Sequence, residues 1–238
     1  EMQLSRRTGL KKSAPRRTGA SKTLIYLFFS IVTVFYLAPL VWIVMVSFKT
    51  NAEVFSNPFG LPEVWQVENY AYSWTNGRLG ASLVNSVTVS VSTLALSMLI
   101  GSMAAFAIAR LRFKINGGML TYFMLGMMIP AHCLLIPMFV MLSKVQLGNT
   151  LIGLIIPYAT FALPLTVYIM TGFFKGIPYE MFESACIDGC SLSRIFTQIA
   201  LPMAKTGLFV TGLMTFVNTW NELVLAMCFI SDPAQKTL

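Results

Sequence analysis

Long apolar runs separated by short polar segments dominate this 238-residue sequence, and they constrain its fold more than any other feature. A run of about 20 apolar residues is long enough to cross the hydrocarbon core of a bilayer as an α-helix. Hydrophobic residues make up 56% of the chain and charged residues 11%, whereas a soluble domain has about 25% charged residues. The sequence therefore predicts an all-α, polytopic membrane helix bundle instead of one or two soluble domains.

Five runs are predicted to span the membrane, at approximately 24–48, 83–107, 118–142, 150–174 and 207–231. Prolines interrupt the first, third and fourth of them, and these are Pro39, Pro130, Pro137, Pro157 and Pro164. A proline frees a backbone carbonyl that needs a partner, so the third run is predicted to be broken and inward-facing. In the second run Ser97, Gly101, Ala105 and Ala109 recur every fourth residue, which predicts close approach of another helix.

Lysine and arginine predict the orientation of these spans. Residues 1–23 form a basic arm with seven of them against one acid, and the next short basic loop contains Arg110, Arg112 and Lys114. Because basic loops stay inside, we expect the arm, the Arg110 loop and segment 175–205 of a multi-pass membrane protein to lie in the cytoplasm. The arm has no aromatic residues, so it is expected to contact anionic lipid headgroups and not nucleic acid.

The segment 49–82 is rich in turns and aromatic residues. Its aromatic side chains are those of Phe55, Phe59, Trp65, Tyr70, Tyr72 and Trp74. Tryptophan and tyrosine are enriched where a membrane meets water, so this segment is interpreted as an interfacial belt. A surface that meets an external partner is the alternative.

The segment 178–202, PYEMFESACIDGCSLSRIFTQIALP, is the one long polar stretch after Leu111. Pro178 is suited to a helix start, Gly189 to a left-handed cap, and Ser191 to the N-cap of a second helix. Leu192, Ile195, Phe196 and Ile199 then give that second helix one apolar face. We therefore predict two short amphipathic helices joined at a sharp angle, here called the elbow; a solvated loop on the bilayer surface is the alternative.

The letters ESACIDG at 183–189, followed by Leu201-Pro202, resemble the EAA loop of ATP-binding-cassette importer permeases. The Ile-Asp-Gly form is similar to the carbohydrate-uptake, maltose-type branch. The chain departs from that pattern at Ser184, Cys190 and Thr206, where alanine, alanine and proline are common, but all three replacements are small. The resemblance implies the type I importer transmembrane fold in a prokaryotic inner membrane, with a permease domain at 24–238 and the coupling loop at about 175–205.

In that family the loop carries the coupling helix, which docks in a cleft of the cytoplasmic ATPase. The resemblance thus implies ATPase coupling for Phe182, Glu183, Ser184, Ala185, Ile187, Asp188 and Gly189. It also implies a second permease as heterodimer partner, two copies of the ATPase carrying ATP and Mg, and an extracytoplasmic solute-binding protein. The family has six spans, so we expect the intact protein to continue for about one more helix of roughly 20 residues, and the first residue, Glu1, also suggests a fragment.

Polar residues within the apolar runs are candidates for the translocation pathway or for interhelical contacts. They are His132, Asn218, Asn221 and Glu222. A carboxylate within a membrane is costly unless it is paired, solvated or protonated, which makes Glu222 the first candidate. The stretch NTWNE at 218–222 also resembles maltose-type permease subunits; a packing hydrogen bond within the bundle is the alternative for each residue.

The sequence contains no GxxxxGK[ST], HExxH or GxSxG motif, and its single histidine has no flanking acid, so an enzyme acting alone is not favoured. The four cysteines lack a second ligand pair, and neither a metal nor a cofactor is expected in this chain. The expected function is a permease subunit of an ATP-driven importer of sugars or oligosaccharides that forms half of the pathway. The alternatives are a permease for amino acids, peptides or polyamines, a multi-span membrane enzyme, and a structural or sensory membrane subunit.

Overall fold

The computed structural model describes residues 19–111 and 114–238, and every regular element in these ranges is a helix. Residues 1–18 of the basic arm and Arg112 of the basic loop lie outside the described residues. The described residues divide into two compact units, one up to residue 73 and one from residue 74 to residue 238.

The first unit contains α1 (Gly19–Ser47), α2 (Asn51–Ser56) and the start of α3 (Glu68–Thr75). Helix α1 continues through Pro39, and its segment Lys22–Ser47 is long and apolar enough to cross a membrane. The chain after α1 folds back on the helix end, because Gln66 N donates to Phe48 O at 2.8 Å. The ammonium of Lys49 is buried beneath this loop and donates to Asn57 O at 2.6 Å.

In the second unit, α4 (Leu79–Arg110) and α7 (Leu151–Lys175) form the most extensive helix pair among the described residues. Their close approach depends on the small-residue stripe predicted from the sequence. A Cβ on Gly101 would lie 2.5 Å from Cγ2 of Thr166, and Ser97 and Ala105 are fully buried. The prediction of close packing by this stripe is therefore confirmed.

The third apolar run is broken, as its prolines predicted. Helix α5 (Asn116–Gly126) and the segment Ala131–Lys144 meet at 83°, and that segment consists of a 3₁₀ turn, Ala131–Leu134, followed by α6 (Leu135–Lys144). The break lies at Pro130; Pro137 falls in the first turn of α6, where a missing N–H costs little. Helix α7, in contrast, continues through both of its prolines.

The elbow follows as α8 (Tyr179–Ile187), α9 (Leu192–Ile195), a π-helical turn (Phe196–Ala200) and α10 (Leu201–Met203). Helix α11 (Lys205–Trp220) then leaves at 78° to the segment Leu192–Met203. The prediction of one continuous span at 207–231 is wrong, since α11 ends at Trp220 and a separate α12 (Val224–Phe229) follows. The described residues thus contain three helices able to span a membrane, or five if each bent pair counts as one span.

Two buried cores lie at opposite ends of the α4–α7 pair. One is at the end where α4 and α7 finish, and it includes Phe106, Phe174, Phe182 and Ala200. We call this the elbow end. The other includes Val89, Leu154, Tyr158 and Phe229, and we call its location the loop end. Each core supports one group of candidate residues.

Candidate functional site

The elbow has the shape that its sequence predicts. Helix α8 ends at Ile187, and Gly189 adopts the left-handed conformation with φ of 74°, which a glycine takes without steric cost. Cys190 N then donates to Ala185 O at 2.9 Å and closes the turn. The hydroxyl of Ser191 accepts a hydrogen bond from Arg194 N at 3.4 Å and caps α9.

An aromatic cluster joins α8 to the membrane helices. Phe182 and Ala185 are both buried in the elbow-end core. The ring of Phe106 on α4 lies 6.1 Å from that of Phe182, 5.7 Å from that of Phe174 and 5.3 Å from that of Phe196. Since well-packed interiors transmit displacement and do not absorb it, α8 is rigidly connected to both α4 and α7.

Arg110, the last residue of α4, is the element of this site that sequence reasoning missed. Its Nη2 donates to the carbonyl oxygen of Phe174, in the last turn of α7, and to that of Ile177, just after the helix. Its guanidinium lies 4.5 Å from the ring centroid of Phe182. A cation at a helix C-terminus satisfies carbonyls that have no partner within the helix. The Arg110 side chain thus joins α4, α7 and α8. The sequence indicated only a basic loop, because the two hydrogen-bond acceptors of Arg110 lie 64 and 67 positions further along the chain.

The remaining predicted coupling residues are exposed on the outer side of the elbow. They are Glu183, Ser184, Ile187, Asp188 and Gly189. The side chain of Ile187 is 86% exposed, although it lies on the same helix as the buried Phe182 and Ala185. An open groove of about 540 Å³ runs between α8, α9 and the end of α4, and its lining includes Glu183, Ile187 and Leu192. The elbow therefore combines a buried anchoring face with an exposed apolar and acidic face.

Glu222 forms the second group of candidate residues, between α11 and α12. Its Oε2 accepts a hydrogen bond from Tyr158 OH at 2.7 Å, and its carboxylate accepts from Leu225 N at 3.0 Å and from Ala226 N at 3.3 Å. These amides belong to the first turn of α12, so the Glu222 carboxylate caps the N-terminus of α12, two residues after α11 ends. This cap is the physical reason why the predicted fifth span is interrupted.

The structure brings only one other candidate from the sequence close to Glu222. Nε2 of His132, at the break between α5 and α6, lies 4.0 Å from Glu222 Oε1, and the His132 side chain is 62% exposed. Asn221 instead donates through Nδ2 to Val217 O of its own helix at 2.8 Å, and Asn218 is exposed on α11. Tyr158 was not among the candidates, because one tyrosine within an apolar run carries no signal of its distant carboxylate partner.

Metal-binding residues do not cluster in this part of the chain. Across 19–111 and 114–238, no group of three His, Cys, Asp or Glu side chains is placed to hold a metal ion. The four cysteines are present as free thiols.

The chain matches a protein family, several named transport proteins and a solved structure. The family described as binding-protein-dependent transport system inner membrane component matches residues 97–238. The diacetylchitobiose uptake system permease protein NgcG of Streptomyces coelicolor is 37% identical over 222 residues, which are 92% of this chain and 72% of that protein. The sulfoquinovosyl glycerol transport system permease protein SmoH of Agrobacterium fabrum is 34% identical, over 92% of this chain and 77% of its own length.

The trehalose transport system permease protein SugB of Mycobacterium tuberculosis is 31% identical, over 87% of this chain and 76% of its own. Among solved structures, a bacterial ABC transporter involved in the import of the acidic polysaccharide alginate matches with a TM-score of 0.79. It is 20% identical and the match covers 93% of this chain and 79% of that one, which supports the fold. The family match over residues 97–238 and the identity to these relatives show that the chain belongs to the family of binding-protein-dependent transport system inner membrane components.

Proposed function

We propose that this chain is a permease subunit of an ATP-driven importer for sugars or oligosaccharides. Its relatives are named for the uptake of diacetylchitobiose, trehalose and sulfoquinovosyl glycerol, which share a carbohydrate unit. The observation that carries the proposal is the elbow, whose helix α8 buries Phe182 in the core while exposing Ile187 on its other side. A segment with one fixed face and one free apolar face is suited to receive force from a separate subunit.

The proposed transport cycle begins at the elbow. A partner ATPase that changes shape on binding and hydrolysing ATP with Mg would displace α8. Because Phe182 packs on Phe106 and Arg110 joins α4 to α7, the displacement would reach both long helices as one rigid movement. Rotation of those helices would then open the pathway to alternate sides of the membrane.

The predicted coupling residues divide into two roles. Phe182, Ala185 and Gly189 determine the shape and the attachment of the elbow, since two are buried and the third makes the left-handed turn. Glu183, Ser184, Ile187 and Asp188 are free to contact the ATPase. Ile187 is the proposed anchor, because a side chain that becomes fully buried in a central pocket of a partner contributes more binding energy than the contacts at the rim.

The assembly proposed here contains a second permease, two ATPase copies and an extracytoplasmic solute-binding protein. The name of the family itself refers to a binding protein. This chain contains no phosphate-binding loop, so ATP and Mg would be bound by the ATPase. The elbow would face the cytoplasm, as the distribution of basic residues predicts.

Glu222 is proposed to hold the break between α11 and α12 against α7 and against the break between α5 and α6. Its carboxylate connects Tyr158 on α7, the start of α12 and, at 4.0 Å, His132 at the other break. Broken membrane helices are where transporters place polar groups that line a cavity. The exposed side of His132, with Asn218, is the proposed contribution of this chain to the pathway lining.

Transport of labelled disaccharides into vesicles that contain the complete importer tests this proposal. We expect ATP-dependent uptake that unlabelled sugars compete for and that amino acids and short peptides do not. Competition by amino acids or peptides, with no effect of sugars, would contradict the proposed cargo. Uptake that persists without ATP would contradict the coupling mechanism.

A further inference from the structure

The loop after α1 does not extend away from the end of the helix but returns along it. Trp42 lies five residues before the end of α1, which corresponds to about 7.5 Å along the axis. Its Nε1 donates to Pro58 O at 2.8 Å, and the ring of Phe59 lies 6.1 Å from the ring of Trp42. Phe59 is therefore placed beside a part of α1 that belongs to the membrane span.

This return closes one end of an apolar cleft along α1. The cleft has a volume of about 640 Å³, and its lining residues are Ile31, Val34, Phe35, Ala38, Pro39, Trp42 and Phe59. From Ile31 to Trp42 the helix rises about 16 Å, which is close to the depth of one bilayer leaflet, about 15 Å. No charged side chain is among the lining residues.

We propose that this cleft binds one acyl chain of a phospholipid, with Phe59 covering the chain near its headgroup end. The lining offers only apolar contacts and the indole of Trp42, whose N–H is already used by Pro58 O. The ring of Phe59 is 82% exposed, so a lipid chain has a large apolar surface left to cover. The dimensions of one leaflet and continuity with a membrane span favour a lipid over a protein segment as the occupant.

The charge of the loop selects the headgroup. Within the first unit, residues 50–73 contain Glu53, Glu63 and Glu68 but neither lysine nor arginine, and the neighbouring Lys49 is buried. An acidic surface repels an anionic headgroup and attracts an ammonium group. The bound lipid is therefore zwitterionic, with an ethanolamine or choline headgroup.

Native mass spectrometry of the assembled importer, purified from mixed phosphatidylethanolamine and phosphatidylglycerol, tests the site. We expect one retained lipid per copy of this chain, with phosphatidylethanolamine in excess. Phe59→Ser should lower its retention by roughly tenfold, the loss expected for a covering aromatic side chain. Phe55→Ser is the matched control, because Phe55 is 88% exposed in the same loop and does not line the cleft.

A photoreactive benzophenone side chain at position 38 identifies the occupant independently of mass retention. We expect its crosslinks to join phospholipid more often than those from position 37, which lies on α1 outside the cleft lining. Crosslinks to another subunit would show that protein covers the cleft and would overturn the proposal. Equal lipid loss in both serine variants, or equal lipid crosslinking at both positions, would overturn it as well, since only bulk lipid would then be present.

Discussion

Replacing Arg110 by lysine tests whether one side chain connects the elbow to the long helices. Lysine keeps the positive charge but loses the planar fork that donates to Phe174 O and Ile177 O and lies over the ring of Phe182. Losing one charge-assisted hydrogen bond costs about 1.5 to 3 kcal/mol, and losing the cation–π contact costs about 0.5 to 2 kcal/mol. Together these losses predict that α8 is held against the core by about 2 to 5 kcal/mol less free energy.

A loss of 2 kcal/mol increases the population of detached α8 roughly 30-fold. Hydrogen exchange of the α8 amides in the reconstituted importer should therefore accelerate by a similar factor, and substrate-stimulated ATP hydrolysis should fall. Lys175→Ala is the control, because it removes an exposed charge from the last turn of α7 at the same end of the bundle. Wild-type exchange and wild-type stimulated hydrolysis in Arg110→Lys would refute the reasoning.

Three further experiments test the helix contact at Gly101, the turn at Gly189 and the hydrogen bond of Glu222. A Cβ alone on Gly101 would lie 2.5 Å from Thr166 Cγ2, so the larger side chain of Gly101→Leu should lower the free energy of unfolding by about 1 to 3 kcal/mol. Thermal unfolding of the purified complex measures this loss. An unchanged midpoint would contradict the close α4–α7 contact. Gly189→Val should cost about 1 to 2 kcal/mol from its φ of 74° alone, since no neighbouring atom lies within 4 Å of an added Cβ, and Gly189→Asn should cost less. For the Glu222 contacts, a double-mutant cycle of Tyr158→Phe and Glu222→Gln should give a coupling free energy of about 1 kcal/mol in thermal unfolding, and a value near zero would show that the hydrogen bond contributes no stability.

Local patterns in the sequence predicted the elbow well because its determinants lie close together. Gly189 and Ser191 specify a left-handed turn and an N-cap through interactions within three or four residues. The break at Pro130 follows from the chemistry of proline in the same way. The stripe containing Gly101 predicted a close helix neighbour, although it did not identify α7 as that neighbour.

Contacts between distant segments could not be predicted from the sequence. Mean hydropathy alone predicted 207–231 as a single span, because one acidic residue changes the mean hydropathy of such a run only slightly. The helix ends at Trp220 because the Glu222 carboxylate is held by Tyr158, 64 positions away, and then caps α12. The role of Arg110 was missed because its hydrogen-bond partners are also distant in the sequence. The division of the coupling residues into buried Phe182 and exposed Ile187 was missed because it depends on how α8 packs against the core.

Cysteine crosslinking from position 187 tests the central claim most directly. In an importer whose native cysteines have been replaced, Ile187→Cys should crosslink to the ATPase, with a yield that changes between the nucleotide-free and ATP-bound states. Ser231→Cys, exposed at the loop end, should give no such crosslink, because Ser231 N is bonded to Asn149 and α7 separates the two ends by about 37 Å. If position 187 instead reacts with a membrane-impermeant thiol reagent added outside cells and never joins the ATPase, the elbow is not the coupling element.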